Sequence, residues 1–259
     1  VTVAAIAALK GSGRQFVQVT AGTEEEAAAA EAAGIDMVVC LAQSVPEVRR
    51  GSSRLFVTAA IDFGGEVTLD DLLATAFRSL SAGADAVITA RRLDAVRLLA
   101  AEGVPVMGHL GFVPKRSNQL GGVRMVGRTA TEATALWRQF QELEDAGAFA
   151  VECELIPAPV LAEITPRTSL ATISLGSGRD ADVMFLFQND IVGESPRVPR
   201  HARSYGDVAS LQQRIRDERV RALAAFKADV ASGGFPAAGE VGGIDPAELA
   251  GFVAALGGE

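Results

Sequence analysis

Apolar residues along this chain fall into short, dense runs separated by longer stretches in which they recur at helical spacing. Phe16-Val-Gln-Val-Thr20 reads as a first strand. A helix follows from Glu24 to Ala33. Its acidic first turn suits the positive end of the helix dipole, with Thr23 as N-cap and Glu26 at the capping-box position. Ala33-Gly34-Ile-Asp-Met-Val-Val-Cys40 then gives helix end, glycine stop and second strand. The same junction recurs at Gly83, Gly103 and Gly147. Glycine suits a helix stop because it adopts the left-handed conformation without a Cβ penalty.

A repeated β/α unit predicts a parallel sheet with helices outside it. Strands are expected at 16–22, 37–42, 55–61, 86–90, 104–110, 150–155, 171–177 and 183–188. Eight units without a linker-like shift in composition predict an α/β protein, a single-domain (β/α)8 TIM barrel over 1–259. A helical extension is expected from about residue 207. Its helix, Asp207 to Val230, carries Arg214, Arg216 and Glu218 on one face and Leu211, Ile215, Leu223 and Phe226 on the other. Pro246 to Leu256 reads as a short final helix.

Composition narrows the class. The 259 residues are 49% hydrophobic, enough for a large core, and the net charge of -8 argues against a nucleic-acid partner or an anionic membrane surface. No apolar run approaches the roughly 20 residues of a membrane span, and the first residues lack the layout of a secretory leader. Cys40 and Cys153 sit in apolar strand runs and are expected as buried free thiols in a reduced compartment. The expectation is a cytoplasmic protein.

In such a barrel the chemistry lies at the C-terminal ends of the strands. The second strand delivers Gln43 and Ser44 there, the third Asp62, the fourth Arg91 and Arg92, and the fifth His109. The sixth carries Glu152 and Glu154 on one face, and the seventh ends in Ser174-Leu-Gly-Ser177-Gly178. Glu154 stands out, because a carboxylate in an apolar strand is expensive to bury without a partner or a task. It reads as a catalytic base, against the alternative of bonding backbone amides or an arginine at the mouth. His109 reads as a general acid or oxyanion donor, or as a histidine satisfied by loop carbonyls. Arg91 and Arg92 suit a carboxylate, or begin a helix in solvent beside Asp94. Ser174 and Ser177 offer an anion-binding turn, or only a tight turn. The chain has no HExxH, CxxC, Walker A or G-x-S-x-G pattern, and no lysine at a strand end for Schiff-base chemistry.

Pro105-Val-Met-Gly-His-Leu-Gly-Phe-Val-Pro114, Gln119-Leu-Gly-Gly122, Leu143-Glu-Asp-Ala-Gly-Ala-Phe-Ala150, Ser174-Leu-Gly-Ser-Gly178, Val198-Pro-Arg-His-Ala-Arg-Ser-Tyr205 and Gly234-Phe-Pro236 closely resemble ketopantoate hydroxymethyltransferase. The resemblance is dense from about 100 to 236. It implies a barrel of the phosphoenolpyruvate mutase and isocitrate lyase superfamily, assembled as a homo-oligomeric decamer. It also implies transfer of a one-carbon unit from methylenetetrahydrofolate to 3-methyl-2-oxobutanoate, with magnesium chelating the oxo acid. Glu154 falls on the family's proton-handling glutamate and His109 on its site histidine.

The metal side departs from that pattern. The resemblance places the family's metal-side residues at Ala42, Ala60 and Ile88-Thr89-Ala90, with Asp62 the one remaining metal candidate. A hard cation needs oxygen ligands that these side chains lack. Three readings follow. The first is an enzyme of altered chemistry on a small carboxylate or 2-oxo acid, with Glu154 and His109 catalytic and Gln43, Ser44, Arg91, Arg92, Ser174 and Ser177 as substrate contacts. The second is the parent hydroxymethyltransferase, the only case in which magnesium and methylenetetrahydrofolate are expected. The third is a non-catalytic metabolite-binding or scaffold paralogue.

Overall fold

The computed structural model describes residues 1–61 and 65–257, so the expectation for Asp62 lies outside the described residues. Eight parallel strands close into one barrel in chain order. They are β1 Phe16–Thr20, β2 Met37–Leu41, β3 Phe56–Ala60, β4 Ala86–Ile88, β5 Val106–Gly111, β6 Ala150–Glu154, β7 Ala171–Leu175 and β8 Val183–Leu186. All eight expected strands are present. Most stop short of the expected C-terminal bound, because residues such as Thr89, Ala90, Ser177 and Phe187 leave the ladder to build the mouth. β5 starts at Val106 instead of 104, after Pro105, which has no N–H to give to a ladder.

The helices are α1 Val3–Ala7, α2 Glu24–Ala32, α3 Val45–Gly51, α4 Leu69–Ser81, α5 Leu93–Ala101, α6 Ala130–Asp145, α7 Ala158–Ile164, α8 Gln188–Ile191, α9 Val208–Ser232 and α10 Pro246–Leu256. The capping box of Thr23 and Glu26 forms as expected. Gly34, Gly83, Gly103 and Gly147 all take the left-handed conformation.

Alternation along each strand produces two apolar layers. Val19, Val38, Val57, Val87, Val106 and Val151 face outward into the helix-packed layer. Phe16, Met37, Phe56, Met107, Ile173 and Phe185 fill the barrel interior, and Ile6 and Leu9 join them from the N-terminal segment. Lys10 is held there by Asp182 at 2.7 Å and by the Thr165 carbonyl at 2.9 Å. Gln18, Thr58 and Glu152 are buried polar residues on inward-facing strand positions.

The chain divides into two compact units, Val1–Gly206, which contains the barrel, and the segment from Asp207 on. In the second unit α9 has no buried residue, and Leu211, Ile215, Leu223 and Phe226 are exposed along it. Among the described residues no helix is long and apolar enough to cross a membrane. Cys40 and Cys153 are free and buried.

Candidate functional site

The register of β5 and β6 sets His109 against Glu152 and Gly111 against Glu154. Alternation points both glutamates of β6 the same way. His109 Nε2 lies 3.1 Å from Glu154 Oε2 and 3.8 Å from Glu152 Oε1. Only the first is within hydrogen-bonding reach.

The backbone around Glu154 is locked from several sides. Gly111 has φ +86°, and a Cβ there would lie 2.2 Å from the Glu154 carbonyl oxygen. The bare glycine lets Phe112 N donate to that oxygen at 2.7 Å. Leu155, the next residue, has φ +50°, the only positive value of a non-glycine residue among those described. Such strain persists only where the surroundings over-determine it. Here Leu155 N donates to the Leu175 carbonyl and Val126 N donates to the Leu155 carbonyl, both at 3.0 Å. Ser177 Oγ donates to the Cys153 carbonyl at 2.7 Å and accepts from Ile156 N at 2.8 Å.

Charge and burial act in opposite directions at His109. Burial lowers its affinity for a proton, but the Glu154 hydrogen bond, the charges of Glu152 and Glu154 and a hydrogen bond to the Phe112 backbone outweigh it, and the net shift is upward. Burial pushes the Glu152 carboxyl up, His109 opposes the shift and the Glu154 charge adds to it. His109 and Glu152 therefore each hold a proton more firmly than they would in water.

Above these three side chains opens a cavity of roughly 320 Å³. His109, Glu152 and Glu154 lie on one side of its lining; Val39, Ala60, Ile88, Ala90, Phe185 and Phe187 supply apolar walls. Thr20, Ser44 and Lys115 add polar groups. Of the residues singled out from sequence, the structure brings Glu154, His109 and Ser44 together at the cavity. It places Gln43, Arg91, Arg92, Ser174 and Ser177 outside the lining. Arg91 donates to the carbonyls of Glu66 at 2.9 Å and Val67 at 3.1 Å. Arg92 is exposed and 3.4 Å from Asp94, and Gln43 is exposed beside the cavity lining. Ser174 Oγ donates to the Gly178 carbonyl at 2.7 Å and accepts from Ser177 N at 3.2 Å, closing the turn on itself.

Sequence reading missed what Glu152 adds, because its proximity to His109 depends on a strand register that no local pattern prints. Phe185 and Phe187 as cavity walls were missed for a related reason: they look like an ordinary buried strand end.

An eight-stranded parallel barrel with a carboxylate–histidine group at its strand ends defines the class. The architecture matches phosphonopyruvate hydrolase, solved with oxalate and Mg²⁺, at TM-score 0.57 and 14% identity over 93% of each chain. Within that class, residues 41–238 match the model of the ketopantoate hydroxymethyltransferase family, and the chain belongs to it. A 3-methyl-2-oxobutanoate hydroxymethyltransferase of Hyperthermus butylicus is 33% identical over 96% of this chain and 92% of its own length. One of Thermobifida fusca is 37% identical over 73% of this chain and 67% of its own.

Proposed function

We propose that this protein is an enzyme that enolises a small 2-oxo acid in the β5–β6 cavity, making or breaking a C–C bond beside the carbonyl. The contact that carries the reading is His109 Nε2 to Glu154 Oε2 at 3.1 Å, in a mostly apolar cavity of small-molecule size. Glu154 takes the proton from the carbon next to the carbonyl. The C–H electron pair moves into the enolate beside the His109 ring, and the enolate carbon then attacks a one-carbon electrophile at the formaldehyde oxidation level, whose C=O or C=N π pair moves onto its heteroatom and takes up a proton. In the reverse direction a C–C bond breaks and Glu154 returns the proton. Apolar walls exclude water and so strengthen both interactions.

The metal corner supports altered chemistry over the parent reaction. Ala60 and Ile88, two of the positions that the resemblance assigns to the metal side, are 8% and 6% exposed and pack in the apolar barrel interior. Neither side chain offers an oxygen donor, so these two positions supply magnesium no ligand, and no step is routed through it. A homo-oligomer, decameric by family resemblance, is also part of this reading, and the exposed apolar residues of α9 favour it. No nucleic-acid or membrane partner is proposed.

Deuterium exchange from solvent into 3-methyl-2-oxobutanoate and related 2-oxo acids, followed by NMR, tests the reading. The wild type should catalyse exchange. Glu154→Gln should lose it by about 10²–10⁴-fold with an unchanged circular dichroism spectrum. Binding of a 2-oxo acid with no exchange in the wild type would favour the metabolite-binding paralogue instead.

A further inference from the structure

Glu152 has no task in the reaction above. It is 6% exposed and makes no side-chain hydrogen bond among the described residues, where only His109 Nε2, 3.8 Å away, offsets its charge. A carboxylate buried with so little compensation normally neutralises, pairs or binds a cation. Its carboxylate faces the same cavity as the other two groups. One donor atom each from His109, Glu152 and Glu154 lie within 4.8 Å of one another.

The spacing suits a metal ion. Ligands at about 2.0–2.1 Å from a zinc-sized ion lie about 3.4 Å apart in a tetrahedron and about 3.0 Å apart in an octahedron. The two separations from His109 Nε2, 3.1 and 3.8 Å, bracket the tetrahedral value, and the donor atoms, spread over up to 4.8 Å, would draw together on binding.

We propose that His109, Glu152 and Glu154 form a site for a divalent transition-metal ion on the β5–β6 side of the cavity. It is not the corner that the resemblance assigns to magnesium, which is apolar here. One imidazole and two carboxylates select Zn²⁺, Mn²⁺ or Fe²⁺ over Mg²⁺. Three protein ligands on one side leave coordination positions open toward the cavity, as in catalytic and not structural sites. An oxygen of a 2-oxo acid would take an open position. Bound there, the ion would supply charge to stabilise the enolate oxygen beside His109, and Glu154, ligating through one oxygen, would keep its other oxygen for the proton. The inference rests on reading this cavity as the reaction site, but its test needs no turnover.

Chelator-stripped protein is titrated by calorimetry with Zn²⁺, Mn²⁺ or Mg²⁺ alone. The expected result is one Zn²⁺ or Mn²⁺ per chain, with Mg²⁺ at least tenfold weaker. Glu152→Gln should weaken Zn²⁺ binding by about 10–100-fold while circular dichroism stays unchanged, and His109→Asn carries the same test from β5 should Glu152→Gln not fold. Absence of stoichiometric Zn²⁺ or Mn²⁺ binding, or affinity unchanged in the variant that folds, overturns the site. Loss of proton exchange in Glu154→Gln without metal binding would sink the site and leave the proposed function standing. Stoichiometric metal binding without exchange would do the opposite.

Discussion

Each ionisable residue at the cavity takes its character from its neighbours. Glu154 and His109 were legible in the sequence because each is a polar interruption of an apolar strand, and the structure puts them in contact. Arg91 and Arg92 were equally visible as charges. What a sequence does not display is that the carbonyls of Glu66 and Val67 come within reach of the Arg91 guanidinium. At Cys40 burial dominates. Desolvation pushes its thiol up to about 12, against a small opposing pull from Arg49. A thiol with that pKa is essentially all protonated at neutral pH and does not act as a nucleophile. Cys40 and Cys153 should therefore stay unmodified by iodoacetamide in the native protein and react on unfolding in urea. Rapid native labelling at pH 7 would contradict the burial described here.

Elements are tied together by a few polar anchors between them. Glu31 on α2 accepts from Ser52 Oγ, from Ser53 N at 3.1 Å and from Arg54 Nε at 2.9 Å, which joins α2 to the start of β3. The Ser52 bond chiefly lowers its pKa from 4.5 to about 2, burial opposes, and Arg54 adds to the lowering. A depressed folded-state pKa means that its stabilisation is present above pH 4.5 and lost as pH falls toward 2. Glu31→Gln should therefore flatten the decline of urea-unfolding stability across that window. An unchanged slope would contradict the anchor.

Near the site, Gly111→Ala would drive a Cβ into the Glu154 carbonyl at a positive φ. It should cost about 3 kcal/mol or more, and displace Glu154 enough to lower activity in whatever protein still folds. Ser177→Ala leaves the Ile156 N–H and the Cys153 carbonyl without their side-chain partner and should cost about 1–3 kcal/mol by urea denaturation. The role of Ser177 illustrates the limit of motif reading. The glycine-flanked serine was visible; that it braces β6 against the turn after β7 depends on their packing in space.

For the whole molecule, the order of eight β/α units was readable because helix stops, glycines and apolar runs repeat with one phase. Strand ends were not, since the residues that leave the ladder to form the mouth are as apolar as those within it. Family membership follows from motifs concentrated on β5, β6 and their loops, and the matches over residues 41–238 agree with it. The central claim is that chemistry in this barrel belongs to the β5–β6 side, facing an apolar wall where the family resemblance expects a metal. A crystal structure of the protein with 3-methyl-2-oxobutanoate tests it most directly. The expected result is the C–H carbon next to the ketone within about 3–3.5 Å of a Glu154 carboxylate oxygen, with its two methyl groups against Ala60 and Ile88. An oxo acid with its carbonyl and carboxylate turned toward Ala60 and Ile88, and Glu154 out of reach, would contradict it.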